Sequence, residues 1–116
     1  MLLPMQEALA QIEQLLHGYG HTYEANLAAI ARSAFERDPR AACHALNSEE
    51  WWSSSRSLAA IDLAMDGGYT ARSRQDSHAL RLSLIEIFTT MRAYGEHNES
   101  AEILVSQFHK WLESHI

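Results

Sequence analysis

The sequence has few features that would cross-link or anchor the chain. Its single cysteine, Cys43, has no partner for an intramolecular disulfide, and a reducing compartment is the simplest interpretation. The N-terminal stretch MLLPMQEALAQIEQLL carries no Lys or Arg before its apolar residues, and polar residues interrupt it at helical spacing. A signal peptide needs a basic start, and a membrane span needs a longer apolar run. We therefore expect a cytoplasmic protein that does not enter a membrane.

Basic residues are also scarce. Nine Lys and Arg residues face fifteen Asp and Glu residues, which gives a formal net charge of -6. The excess lies mostly in residues 1–70, which hold nine acidic and four basic residues. An acidic surface repels nucleic acid and attracts basic proteins, although net charge also serves solubility alone. The charge favours a basic protein partner over nucleic acid.

Signature metal-binding motifs are missing. Among the seven histidines, two have a glutamate four residues away: the pairs are Glu13 with His17 and His109 with Glu113. Such a pair could share one ion on a helical face, but helices contain this spacing often, and neither HExxH nor a paired CxxC occurs. We predict no metal site and no other cofactor.

Groups arranged for catalysis are missing as well. Cys43 precedes His44, but neighbouring residues on a helix point about 100° apart, so the pair cannot act together directly. A small buried side chain is the expected role of Cys43. Gly67 and Gly68 follow no predicted strand, so they indicate a helix end rather than a phosphate-binding loop. These patterns do not support an enzyme.

Helical periodicity runs through almost the whole chain. Hydrophobic residues make up 47% of the 116 residues, which is typical of one globular domain. Every segment longer than about ten residues has helical spacing, and none alternates as a strand would. We predict an all-α fold, with residues 1–116 forming a single compact domain of five or six helices in a bundle or an orthogonal array.

The predicted helices begin and end at capping residues, prolines and glycines. The first covers residues 4–18, and the second starts at a Thr22 cap and ends near Asp38. The next three cover residues 39–46, 54–65 and 71–94, and Asn98 caps the last. The buried faces are predicted from apolar spacing. In the first helix the predicted stripe is Met5, Ala8, Leu9, Ile12, Leu15 and Leu16. In the second helix it is Tyr23, Leu27, Ile30, Ala31, Ala34 and Phe35, and in the last helix it is Ile103, Leu104, Phe108, Trp111 and Leu112.

The helix over 71–94 is apolar on more than one side, which is typical of a central helix. Leu82 and Ile85 lie off its main stripe. They would contact a neighbouring helix or form a homodimer face. The main stripe is Leu80, Leu84, Ile87, Phe88 and Met91.

The adjacent residues Trp51 and Trp52 are the most informative local feature. Two neighbouring tryptophans cannot both point at the same place, so one could be exposed beside Glu49 and Glu50 as a protein-binding hot spot. The alternative is that both fill the space between helices. The predicted partner-binding residues are Glu49, Glu50, Trp51, Trp52, Asp62 and Asp66.

A second hypothesis concerns residues 54–81. A predicted helix, a glycine-containing connection and then Arg72 and Arg74 at the start of a long helix have the outline of a helix-turn-helix. A continuous basic stripe through Arg72, Arg74 and Arg81 would favour a DNA-binding or regulatory protein. Asp66, Asp76 and the net negative charge argue against it.

One further pattern extends from the tryptophans to the last helix. Its residues are Trp51–Trp52, Ser57–Leu63, Gly95, Asn98, Ala101, Phe108 and Trp111. With these residues, the segment 51–112 resembles a family of small, uncharacterised bacterial all-helical proteins. It departs from them at Ser53–Ser55, where they commonly have glycine.

Small acidic helical proteins of this kind are similar to the immunity proteins of bacterial toxin systems. The resemblance implies an immunity role. Because an acidic domain can enter a basic cleft, we predict a protein-binding module that binds a cognate toxin with a basic surface and occludes its active cleft. The resemblance carries over no catalytic residue.

Overall fold

A computed structural model describes residues 4–53, 56–61, 63 and 70–114. These residues form helices and connecting segments without a strand, which confirms the all-α prediction. The radius of gyration is 13.5 Å, as expected for a compact chain of this length. The elements are α1 (Pro4–Gly18), α2 (Thr22–Arg37), α3 (Pro39–Leu46), α4 (Glu49–Trp52), a 3₁₀ turn (Leu58–Ala60), α5 (Ala71–Ala93) and α6 (Glu99–Glu113).

Three helices begin at a residue whose side chain accepts a hydrogen bond from a backbone N–H group that has no partner within the helix. The Asp38 carboxylate accepts from the Ala41 N–H at 3.2 Å, and the Asn98 side-chain oxygen accepts from the Ala101 N–H at 2.9 Å. Thr70 caps α5. The predicted Thr22 cap is wrong: Thr22 is the first helical residue, and His21 precedes it without a side-chain hydrogen bond.

Two glycines end helices with the same backbone geometry. Gly20 (φ 84°) follows α1 and Gly95 (φ 86°) follows α5. After α1, the His21 N–H donates to the Leu16 carbonyl at 2.8 Å, and after α5 the Glu96 N–H donates to the Met91 carbonyl at 3.0 Å. These are Schellman caps, in which a positive φ favours glycine because it has no Cβ.

Helix α1 packs against α2 and α5. Its predicted face is confirmed, because Leu9, Ile12 and Leu16 are fully buried. The predicted stripe of α2 is wrong in part: Ala25 and Ala28 are buried, while Tyr23 and Ile30 are exposed. Both faces of α2 carry apolar residues, and the alanine face lets α1 approach closely.

Helix α5 contacts α1, α3 and α6. Its predicted stripe is largely confirmed, since Leu80, Leu84, Ile87 and Met91 are buried and Phe88 is partly buried. Of the two residues off that stripe, Ile85 packs against the core and Leu82 is exposed.

The predicted helix over 54–65 is wrong within the described residues. Leu58–Ala60 form only a 3₁₀ turn, and Ile61 has an extended backbone (φ −65°, ψ 135°). A hydroxyl-rich run precedes the turn, and serine side chains compete with helical hydrogen bonds. Leu58 and Leu63 are nevertheless buried, so these two described residues still contribute to the core. Met65, also assigned to that helix, lies outside the described residues.

In α6 the structure corrects one predicted core position. Ile103 is exposed, whereas Ala101, Val105 and Phe108 are buried. Leu104, Trp111 and Leu112 are partly buried. The buried positions follow a three- and four-residue spacing, and Ile103 falls outside it.

Candidate functional site

Both tryptophans of the predicted partner site are buried. Trp52 is 1% exposed, and its indole N–H donates to the Leu46 carbonyl at 3.0 Å. Its ring also meets Phe88 edge to face, with centroids 6.4 Å apart. Trp51 is 4% exposed. The structure therefore has the second of the two predicted arrangements, in which both rings fill the space between helices.

An apolar face of α2 lies beside Trp51. Tyr23 and Ile30 are 64% and 65% exposed, and Leu27 lies between them on the same face, since residues three or four apart are neighbours on a helix. This face and the helices next to it border two neighbouring depressions of about 280 and 170 Å³, and Leu27 and Glu50 line both of them. We name them together the α2–α4 groove. Its lining includes Tyr23, Glu24, Leu27, Ile30, Ala34, Ala42, Ala45, Glu49, Glu50, Trp51 and Arg56.

Carboxylates line one end of the α2–α4 groove. Glu24 from α2 and Glu49 and Glu50 from α4 border the same depression, where Arg56 contributes one positive charge. The Tyr23 hydroxyl donates to the Glu50 carboxylate, which joins α2 to α4 across the groove. This hydrogen bond raises the pKa of Tyr23, and the negative charge of Glu50 adds to the effect.

The structure brings together part of the predicted site. Glu49 and Glu50 are exposed at the groove, and Trp51 forms part of its wall. Trp52 lies inside the core. Asp62 and Asp66 lie outside the described residues.

The sequence-based prediction missed Tyr23 and Ile30 as surface residues. The available signal was a second apolar side of the helix, formed by Ala25 and Ala28 together with Ala31 and Phe35 of the predicted stripe. Because each residue adds about 100° around a helix, this side overlaps the predicted stripe at Ala31 and Phe35 and leaves Tyr23 and Ile30 outside it. Only contact with α1 decides which stripe is buried.

The groove can bind a protein segment through two kinds of contact. Its exposed Tyr23 and Ile30 side chains offer apolar surface, and tyrosine is enriched at protein interfaces. Its carboxylates can pair with Lys or Arg at the rim. A segment that is apolar on one side and basic at its edge would complement both features.

Cys43 lies away from this groove, in the core. It is fully buried, and burial raises the pKa of its thiol, with a smaller contribution from the charge of Glu96. A raised pKa disfavours the thiolate, which is the nucleophilic form. Across the described part of the chain, no group of three or more His, Cys, Asp or Glu side chains is arranged to hold a metal ion.

The arginines of the helix-turn-helix hypothesis do not share one environment. Arg72 lies 4.0 Å from Asp76, which also accepts a hydrogen bond from the Tyr19 hydroxyl at 2.8 Å. The Arg81 guanidinium carbon lies 4.8 Å from the centroid of the Trp111 ring, against α6. The first helix of the motif is replaced by the 3₁₀ turn in the described residues.

None of the described helices combines the length and the apolar character needed to cross a bilayer. Comparisons with protein-family models, with curated proteins and with solved structures find no match to this chain.

Proposed function

We propose that this protein is a binding module for a basic protein partner, and that its most concrete role is that of an immunity protein that neutralises a cognate toxin. The observation that carries the proposal is the α2–α4 groove, where exposed apolar side chains adjoin a cluster of carboxylates. Toxins that act on nucleic acid or nucleotides often have basic clefts, which attract their anionic substrates. An acidic domain that docks in such a cleft excludes the substrate.

The apolar part of the groove supplies affinity. Tyr23 and Ile30 are large and exposed and lie two turns apart on the same face of α2, and burying such side chains at the centre of an interface creates hot spots. Trp51 and Ala45 border the groove from the neighbouring helices. A folded, helical floor limits the conformational entropy that binding costs.

The acidic part supplies speed and selectivity. Glu24, Glu49 and Glu50 lie at one end of the groove, and complementary charge raises association rates most at low ionic strength. The net charge of -6 acts in the same direction at longer range.

The first test is growth rescue. The product of the reading frame just upstream is expressed in a test bacterium with and without this chain. We expect the neighbour to be toxic alone and harmless with the chain. The immunity role is contradicted for that pair if the upstream product is harmless alone, or if it is toxic and the chain does not restore growth.

The second test locates the surface on a purified complex. Ile30→Ala removes an exposed side chain of the groove, and Ile103→Ala is the matched control because Ile103 is exposed to the same degree (67% against 65%) on α6. We expect the groove variant to weaken binding about tenfold, or about 1.4 kcal/mol, a loss that only a minority of interface residues reach, and the control to leave binding unchanged. Equal effects would place the interface elsewhere.

Charge reversal tests the acidic rim. The double variant Glu49→Lys with Glu50→Lys should slow association about tenfold at low salt and reduce its salt dependence. Glu99→Lys with Glu102→Lys makes the same charge change on α6, at two residues that do not line the groove, and should slow association less. If both pairs act equally, net charge rather than the groove directs the encounter.

A further inference from the structure

A cavity of about 220 Å³ lies between the 3₁₀ turn, α5 and α6. Most of its wall is apolar: Leu80 and Leu84 come from α5, and Leu104 and Phe108 come from α6. None of its lining residues borders the α2–α4 groove. An engineered apolar cavity of about 150 Å³ accepts benzene, so this one has room for a six-membered ring with a small substituent.

A buried serine of this cavity lacks a hydrogen-bond partner. Ser77 of α5 lines the cavity and is only 6% exposed, and across the described residues its hydroxyl makes no hydrogen bond. A buried hydroxyl without a partner is destabilising. Because a hydroxyl can both donate and accept, a ligand hydroxyl in the cavity would supply the missing partner in either role.

Arg81 also lines the cavity, but it is engaged with other groups of the chain. Its guanidinium carbon lies 4.8 Å from the centroid of the Trp111 ring, and Arg81 makes another interaction as well. We therefore assign Arg81 to the wall of the cavity and give it no hydrogen bond to a ligand. A charged ligand group would lose its hydration with only the Ser77 hydroxyl in return, and burying a charge without a counter-charge is strongly unfavourable. The lining thus favours an uncharged ligand.

We propose that this cavity binds a small uncharged aromatic alcohol, with one six-membered ring and one hydroxyl, which fits the volume. The ring lies among the leucines and Phe108, and the ligand hydroxyl forms a hydrogen bond with Ser77. The site is a second binding function of the domain and does not depend on the proposed protein-binding role.

Benzyl alcohol is the probe, toluene has the same ring without the hydroxyl, and phenylacetate is a charged counterpart. In an NMR titration of the full chain, we expect benzyl alcohol to shift backbone amide resonances of α5 and α6 saturably, with a Kd on the order of 1 mM. Phenylacetate should bind about tenfold more weakly or less, because its carboxylate is desolvated in an apolar cavity. Binding of phenylacetate equal to or tighter than that of benzyl alcohol would overturn the recognition of an uncharged ligand.

Ser77→Ala tests the hydrogen bond. It should weaken benzyl alcohol binding about fivefold, which corresponds to the net contribution of one hydrogen bond, while toluene binds the variant at least as well as it binds the wild type. Ser83→Ala is the matched control, because Ser83 is a buried serine of the same helix (8% exposed) that does not line the cavity. The control should change the binding of either compound by less than about twofold, since it removes no hydrogen bond to the ligand.

Circular dichroism establishes that both variants are folded. Ser77→Ala should leave the unliganded domain as stable or slightly more stable, because it removes an unpaired buried hydroxyl. The proposal is overturned if benzyl alcohol gives no saturable shifts in α5 and α6 of the wild-type chain, a result that does not depend on any variant. It is also overturned if Ser77→Ala weakens toluene as much as benzyl alcohol, or if Ser83→Ala weakens benzyl alcohol as much as Ser77→Ala does.

Discussion

Trp52→Phe should destabilise the domain substantially, although the new residue is also aromatic and apolar. The indole N–H of Trp52 donates to the Leu46 carbonyl at 3.0 Å, and the ring is 1% exposed. Leu46 is the last residue of α3, so its carbonyl has no partner within that helix. Phenylalanine would leave this carbonyl unpaired in the core.

The expected loss has two parts. A buried carbonyl without a partner costs about 1–3 kcal/mol, and the smaller ring leaves a cavity that costs about 1 kcal/mol more. The sum, about 2–4 kcal/mol, is a large share of the typical 5–15 kcal/mol free energy of unfolding. It should appear as a lower urea midpoint with an unchanged slope.

The assay is urea denaturation followed by far-UV circular dichroism, which does not depend on tryptophan emission. Trp111→Phe is the control, because Trp111 is only partly buried and a phenylalanine ring can still stack under Arg81. We expect this variant to lose less than about 1 kcal/mol of unfolding free energy. If the two variants lose the same stability, the buried indole hydrogen bond is not a significant stabilising contact and the reasoning is wrong.

Two further predictions concern local structure. Gly20→Ala should destabilise the domain by about 1 kcal/mol because Gly20 has φ 84°. Gly18→Ala, in the helix with open space around it, should be neutral or stabilising. Thermal unfolding compares the two variants, and equal shifts in Tm contradict the role of Gly20 in the cap. The pKa of Glu96 is lowered, mainly by a hydrogen bond from Asn47 and then by His44, against the opposing effect of burial. A lowered pKa contributes stability above the unfolded-state value that is lost as pH falls through the folded value. Asn47→Ala should therefore destabilise more at pH 7 than at pH 3, and that difference should shrink in a Glu96→Gln background; a constant loss at both pH values would disprove the coupling.

Capping residues, prolines and glycines in the sequence were sufficient to predict several helix boundaries. Pro39 after Asp38 predicts α3, and Asn98 and Gly95 predict the turn before α6, because caps and positive-φ glycines act on residues within one turn. The face of α1 was equally predictable. It carries its large apolar residues on one side only, so burial has a single solution.

The candidate site required the tertiary structure. Helix α2 has an alanine face and a face with Tyr23 and Ile30, and spacing alone favours the larger residues for the core. The close approach of α1 selects the alanines instead, which leaves Tyr23 and Ile30 exposed beside α4.

The same physical reason applies to the segment after α4 and to a buried serine of α5. A 3₁₀ turn replaces the predicted helix where Leu58 packs into the core, and Ser77 of α5 is buried at a cavity that residues of this turn and of α6 also line. Apolar periodicity and capping are local properties that the sequence alone determines for this protein. Packing between the folded elements decides which of two apolar faces is covered and which polar group is enclosed.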